Sequence, residues 1–298
     1  MYHLGIAPDE ISGCIFLVGD PERVHRVARR FESVDHEARN REYVTLTGAY
    51  RGIPMSVVGT GIGTDNVEIA LVELDAANGI DPATGLRKPE VRPLDIIRIG
   101  TSGGVQPDVA AGTLCIAEYA LGLDSTGMYY EAPVADRIVA EIESEATRLL
   151  GEAAHSARRF GGALPLYASR ADSDVTAALA RHADAAGVPF ESGITVSSPG
   201  FYGPSSRYID GLVNTVPDVK GTLAKLAVQD RRVLNMEMES SLLFHLAGAL
   251  GHRAGTICPA ISQPGAQTTL IDYESCIDDA ISIALEAMVE LQDRSVEG

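Results

Sequence analysis

Lysine is nearly absent from this 298-residue chain: Lys88, Lys220 and Lys225 stand against 21 arginines. Acidic residues number 41 and basic ones 24, so the formal net charge is −17. A chain so short of cations has no basic face with which to release counterions from a nucleic-acid polymer or to lie on an anionic membrane, and both are excluded as main partners. The bias fits a salty cytoplasm or a GC-rich genome. Tryptophan is missing and aromatic residues reach only 5%, yet 45% of the chain is hydrophobic, enough to bury a sizeable core at this length. No run approaches the ~20 apolar residues of a membrane span. Residues Met1 to Gly13 carry no basic region and the apolar run after them, Cys14–Val18, is too short for a signal peptide, so a cytoplasmic location is expected. The four cysteines, Cys14, Cys115, Cys258 and Cys276, lie far apart and mostly inside apolar runs, which predicts free buried thiols in a reducing compartment.

Short β-rich apolar runs alternate with longer helical ones, the pattern of an α/β architecture whose central strands are covered on both faces. Strands are expected at Cys14–Val18, Met55–Gly59, Ile96–Gly100, Thr113–Ala120, Gly193–Ser197, Val233–Met236 and Ala254–Ile261. Helices are expected at Arg23–Ala28, Asp65–Ala77, Asp136–Leu150, Asp174–Ala186, Met238–Leu250 and Cys276–Leu291. In the last, Ile277, Ile281, Ala284, Leu285 and Met288 form one apolar face. Gly79 to Pro93 has no periodicity and reads as an inserted surface loop. With no repeat and no linker, residues 1–298 read as one domain.

Three glycine turns each follow an apolar strand: Gly19-Asp20-Pro21 with Arg23, Gly59 to Thr64, and Gly100-Thr101-Ser102-Gly103-Gly104. Glycine there lets main-chain N–H groups approach an anion, and a helix starting beyond adds positive partial charge. The second turn is not a dinucleotide fingerprint, because Thr64 stands where G-x-G-x-x-G needs its last glycine. Arg98 interrupts the strand Ile96–Ile99, and a buried arginine needs either an anionic ligand or an internal carboxylate. Glu237 and Glu239, two residues apart at a strand-to-helix junction, could cap the following helix or take vicinal hydroxyls, the geometry a ribose offers. A carboxylate there also favours an oxocarbenium-like centre.

In order along the chain, Tyr2-His3-Leu4-Gly5, Gly19-Asp20-Pro21 with Arg23, Arg41-Glu42-Tyr43, the Gly59 to Asn66 loop, Arg98 to Gly103, Phe201-Tyr202 with Arg207, and Glu237-Met238-Glu239-Ser240 resemble the uridine phosphorylases of the trimeric/hexameric nucleoside phosphorylase class. The resemblance implies a three-layer α/β/α sandwich around a mixed, partly barrel-like sheet. It also implies a pentosyltransferase that converts uridine and phosphate to uracil and α-D-ribose 1-phosphate. Gly19, Arg23, Arg98 and Thr101 would cradle phosphate, completed by Arg41 of a neighbouring subunit. Glu239, Met238 and Glu237 would meet the ribose, with His3 reaching in from the neighbour, so that at least a homodimer and up to a hexamer is implied. Arg98 and Glu239 would carry the catalysis.

Phe201, Ser205, Arg207 and Ser262 would surround the base. Here the chain departs from the pattern, because Ser205 stands where uridine phosphorylases have a glutamine that reads the uracil edge, and Pro264 where they have a second arginine. Ser262 stands where purine-specific members have an aspartate. Gln263 could supply the missing amide. The rival readings are a guanosine or inosine phosphorylase and a non-catalytic nucleoside-binding protein; a hydrolytic nucleosidase would not need the three arginines. No cofactor beyond the phosphate co-substrate is expected, and no metal, since the other histidines lack ligand spacing.

Overall fold

Every side chain of the apolar run Cys14–Val18 is buried in the computed structural model, which describes residues 1–131, 136–155, 164–264 and 273–297. That is what a strand flanked in its sheet and covered on both faces requires. It is the first of twelve strands among the described residues: β1 (Cys14–Val18), β2 (Ser33–Asn40), β3 (Tyr43–Tyr50), β4 (Ile53–Gly59), β5 (Asp95–Ile99), β6 (Gly103–Gly104), β7 (Leu114–Gly122), β8 (Tyr167–Arg170), β9 (Phe190–Ser197), β10 (Ala227–Val228), β11 (Arg231–Glu237) and β12 (Arg253–Pro259). Seven helices are interleaved with them: α1 (Pro21–Ala28), α2 (Thr64–Gly79), α3 (Arg137–Ala153), α4 (Ser173–Ala185), α5 (Val219–Leu223), α6 (Ser240–Leu250) and α7 (Tyr273–Glu297). None of the described helices is long and apolar enough to cross a membrane.

The sheet is mixed, in the order β10-β11-β9-β7-β12-β5-β1-β4-β3-β2. β1 is parallel to β4 and β5, and β12 to β5. β7 and β11 are parallel to β9, while β7 opposes β12. The apolar faces of α1, α4 and α7 pack on one side of the sheet, around Val27, Leu179 and Ile281. Those of α2 and α6 pack on the other, around Leu71 and Leu243, while α3 and α5 cover the β9–β11 end through Ile142 and Leu223. Three layers result, as the resemblance implied.

One short pairing bends this sheet into a partial barrel. β6 follows β5 after three residues, yet it pairs antiparallel with β11, with Asn235 opposite Gly104 and Met236 opposite Gly103. In the sheet order β9, β7 and β12 lie between β11 and β5. The β5–β6 segment therefore closes those strands into a ring, and a bridge from Ser102 to Ala260 fastens it to the end of β12.

All seven expected strands and six expected helices are present. The hairpin of β2 and β3 was not anticipated. β2 lies at the sheet edge and carries Asp35, His36, Glu37 and Arg39, so its strand character comes from pairing with β3 rather than from apolar alternation. β8, β10 and α5 are too short to have a periodicity. The helix expected from Met238 begins at Ser240, because the Glu237 carboxylate takes the N–H groups of Glu239 and Ser240 and holds the chain out of the helix until there. The strand expected to Ile261 ends at Pro259.

The Gly79 to Pro93 segment is an exposed loop as expected, tied down at its root. Arg87 forks onto Asp75 of α2 with bonds of 2.6 and 2.9 Å, and Lys88 Nζ donates to the carbonyl of Asn78. His252 Nε2 lies 3.1 Å from the same carboxylate. Burial alone would raise the Asp75 carboxyl, but His252 and Arg87 outweigh it and hold the pKa at about 2. Asp75→Asn is expected to cost about 1–2 kcal/mol at pH 7. Because the folded pKa lies below the ordinary carboxylate value of ~4, this stabilisation is full above that pH and disappears as pH falls towards 2. Urea unfolding of both proteins across pH 7 to 2.5 should show the gap between them closing; a constant or widening gap would contradict the assignment.

Candidate active site

The ends of β1, β5 and β11 and the loop after β9 converge on a cavity of about 900 Å³. Eleven of the thirteen residues singled out from the sequence line it, so the ordered motifs do describe one place. At its floor are Gly19 and Arg23 from the β1–α1 turn, Arg98 of β5 with Thr101, and Glu237, Met238 and Glu239 at the end of β11. Phe201, Ser205, Arg207 and Ser262 form the opposite end.

Arg98, Glu237 and Glu239 are 4%, 5% and 3% exposed, so three charges share one desolvated spot. Arg98 Nη1 lies 3.2 Å from Glu237 Oε2 and donates to Cys258 Sγ at 3.3 Å, while Nη2 is hydrogen-bonded to Glu239 Oε2. The internal carboxylate reading of Arg98 is therefore present in the chain by itself. Burial would lower the guanidinium's pKa, but Glu239 and then Glu237 drive it above its ordinary value. Gly100 makes room for this: a Cβ there would stand 2.0 Å from Arg98 Nη1.

The two glutamates are held differently. Glu237 accepts from Ser197 Oγ (2.6 Å), Ser240 Oγ (3.0 Å) and the N–H groups of Glu239 and Ser240, which makes it the cap of α6 and anchors β9 to β11. Glu239 has fewer ties. Its Oε1 accepts the N–H of Gly63 at 2.8 Å, at the start of α2, where φ of +101° suits glycine alone. Burial raises its carboxyl above the usual range; Arg98 opposes that shift and Glu237 adds to it.

Arg23 stands third in α1 and is only half-buried, with Nη1 donating to the carbonyl of Ile99 at 3.1 Å. It forms no ion pair among the described residues. Burial, followed by repulsion from Arg98, pulls its pKa down. A guanidinium that faces a cavity and is paired with no carboxylate has the chemistry to receive an anion.

His3 and Arg41, the two residues expected from a neighbour, do not line this chain's cavity. They lie together elsewhere: Asn40 Nδ2 donates to the carbonyls of Tyr2 and His3, Arg41 bonds the Tyr2 hydroxyl, and Glu73 accepts from the His3 main chain and from its ring. Arg41 caps the β2–β3 turn at φ +53°.

In the loop after β9, Arg207 stacks 3.6 Å over the Phe201 ring centroid and donates to the Phe201 carbonyl at 2.7 Å. Ser205 is buried and its hydroxyl donates to Gly200 O and Ser198 Oγ, so it closes the loop on itself instead of replacing a glutamine amide. Ser262 lies against Gly103 and accepts the Gly104 N–H through its carbonyl. The idea that Gln263 supplies the amide is overturned: its Nε2 donates to Pro107 O, and neither it nor Pro264 lines the cavity. Lys220, which the motifs did not reveal, does line it. Its only cue was its rarity as one of three lysines in the chain.

Four cationic side chains, Arg23, Arg98, Arg207 and Lys220, face three carboxylates, Asp20, Glu237 and Glu239, around the cavity. The pocket is thus slightly positive inside a chain of net charge −17. Among the described residues no group of three or more His, Cys, Asp and Glu side chains could hold a metal ion.

Residues 14–290 match the family model of the phosphorylase superfamily. A uridine phosphorylase of Thermococcus kodakarensis is 33% identical over 86% of this chain and 75% of its own length. A guanosine phosphorylase of Halorubrum lacusprofundi is 26% identical over 97% of this chain and 98% of its own. The crystal structure of a Trypanosoma brucei nucleoside phosphorylase described as showing uridine phosphorylase activity superposes with a TM-score of 0.85, at 28% identity, over 97% of this chain and 96% of that one.

The buried charges predict a contrast in stability. Arg98→Met would leave two desolvated carboxylates unpaired and should cost about 3–5 kcal/mol. Arg23→Met removes a half-buried cation that has no carboxylate, and should change stability by less than about 1 kcal/mol. Urea unfolding of the two variants decides; equal losses would show that Arg98 is not the cation on which the fold relies.

Proposed function

The chain belongs to the phosphorylase superfamily, and from that premise we propose that it catalyses reversible phosphorolysis of a nucleoside, uridine and phosphate giving uracil and α-D-ribose 1-phosphate. The observation that carries this reading is Arg23, a guanidinium without a carboxylate, in one cavity with Arg98 and the loosely tied Glu239. An anion receptor beside a buried carboxylate suits a phosphate that must attack the carbon next to a vicinal diol.

Phosphate binds between Arg23, Arg98 and the Gly19 and Thr101 turns. A guanidinium has five N–H donors, more than Glu237, Glu239 and Cys258 use, so Arg98 can turn spare donors to phosphate without abandoning its pairs. Glu239 takes the ribose hydroxyls, Met238 packs on the sugar, and Glu237 keeps both in place by capping α6. The phosphate oxygen forms its bond to C1′ as the bond to the base breaks, and the electron pair leaves with the base. Holding nucleophile and sugar in line in this way supplies up to ~7–11 kcal/mol of the barrier reduction. Glu239 stabilises the positive charge that develops at the sugar. No resident metal or cofactor is needed.

His3 and Arg41 complete the site of a neighbouring subunit, so the working unit is at least a homodimer, possible up to a hexamer. Their joint placement away from this chain's own cavity supports that reading. The buried thiols of Cys14, Cys115 and Cys258 fit a reducing cytoplasm. A second reading, guanosine as the substrate, is favoured by the guanosine phosphorylase relative that matches nearly end to end and by Ser205, which offers no amide to a uracil edge.

A panel of uridine, thymidine, cytidine, inosine, guanosine and adenosine, incubated with and without phosphate, tests the proposal. Base should be released only with phosphate, ribose 1-phosphate should form, and uridine should be used fastest. Glu239→Ala should lower kcat about 10²–10³-fold. Release that is as fast without phosphate would make the protein a hydrolase, and saturable binding without product would make it a binding protein.

A further inference from the structure

Lys220 is a cation in the cavity for which the family motifs provide no role. It is the second residue of α5, which Asp218 caps by accepting the Gly221 N–H at 2.8 Å. The Lys220 N–H donates to Ser206 Oγ at 2.6 Å, which fixes α5 to the loop that carries Phe201 and Arg207. Its Nζ stands over the β6 backbone, 3.9 Å from where a Cβ on Gly103 would lie, with Ser262 Oγ 3.3 Å from the same point. Lys220 thus belongs to the base end of the cavity, beside the loop that carries Arg207.

The half-buried ammonium makes no hydrogen bond or ion pair among the described residues. Burial lowers its pKa, the Arg207 charge lowers it further, and only Asp218 at its own helix start acts in the other direction. An ammonium that gives up water beside a second cation and gains no carboxylate is poorly placed for stability. It is well placed for a ligand oxygen that acquires negative charge.

We propose that Lys220 holds a carbonyl oxygen of the departing base and stabilises the charge that collects there as the glycosidic bond breaks. The inference rests on the phosphorolysis reading above. As the phosphate oxygen bonds to C1′, the C1′–N1 bond breaks and its electron pair passes to N1 and is delocalised onto the ring carbonyl oxygens. Lys220 and Arg207 face that enolate-like anion as donors, and water protonates the base on release. Two cationic donors at this end also define a preference: a ring carbonyl is favoured there over an exocyclic amino group, so cytidine should be used more slowly than uridine. The flexible lysine stem offers a point charge where an arginine fork would demand a planar partner.

The test compares wild type, Lys220→Met and Lys220→Arg on uridine and 5-fluorouridine with phosphate. Methionine matches the stem in size and removes only the charge, and an unchanged melting temperature verifies folding. Lys220→Met should lower kcat on uridine about 10²-fold, leave KM for phosphate within about 2-fold, and lower kcat on 5-fluorouridine about 10-fold less, since its base departs as a more stable anion. Lys220→Arg should recover much of the loss. Normal turnover by Lys220→Met, or equal losses on both substrates, overturns the role of Lys220 while wild-type uridine turnover leaves the phosphorolysis reading standing. A wild type that releases no uracil from uridine overturns both.

Discussion

A single buried arginine, Arg98, is the interaction around which this molecule is organised. It reaches from β5 to two carboxylates on the far side of the ring that β6 closes, and each member is nearly inaccessible to water. Taken alone, the three groups would be among the most expensive to bury in any fold. Together they cancel most of their charge, and the serines of β9 and α6 and the Gly63 N–H satisfy the remaining oxygens. The arrangement is nevertheless asymmetric. Glu237 is saturated and acts as part of the scaffold, whereas Glu239 has one main-chain tie besides Arg98 and its neighbour's N–H, which leaves it able to exchange partners.

That asymmetry explains how one chain combines stability with a pocket for polar ligands. Side chains that must hold the barrel closed and side chains that must let go of one another for a ligand share the same cation. Arg23 of α1 lines the same cavity, forms no ion pair among the described residues and donates only to the Ile99 carbonyl. The overall excess of acid is screened by salt over ~8–10 Å, whereas the clustered cations of the cavity act at short range where screening is weak.

Much of this was legible in the sequence, for identifiable reasons. A strand buried on both faces must be apolar throughout, so β1 and β5 announced themselves, and an arginine inside β5 could not be neutral to function or structure. Glycine turns at strand ends and the Glu237–Glu239 pair were likewise visible, because sterics and desolvation restrict what can stand there. The edge strand β2 was not, since its residues are polar and its strand character is supplied by pairing with β3. Lys220 escaped for a different reason: α5 is one short turn with no periodicity, and its direction depends on a hydrogen bond to Ser206 that only the folded loop provides. The Phe201 end of the cavity was the least legible part, because loop side chains can spend their hydrogen bonds inward or outward: Ser205 lines the cavity but bonds Gly200 O, and Gln263 bonds Pro107 O outside it.

The two-residue strand β6 has a further meaning when time is considered. Ser102 bonds Asn235 across 133 residues of chain, and Arg98 meets Glu239 across 141. Contacts of such separation carry a loop-closure cost that local strand pairs and helices do not. The seam of the barrel borders the cavity, with Ser102, Gly103 and Met236 belonging to both, so a chain whose ring is open lacks the joint arrangement of Arg98, Glu237 and Glu239. An anionic ligand that needs that arrangement would bind only molecules whose ring is shut, and so would stabilise the closed barrel by mass action.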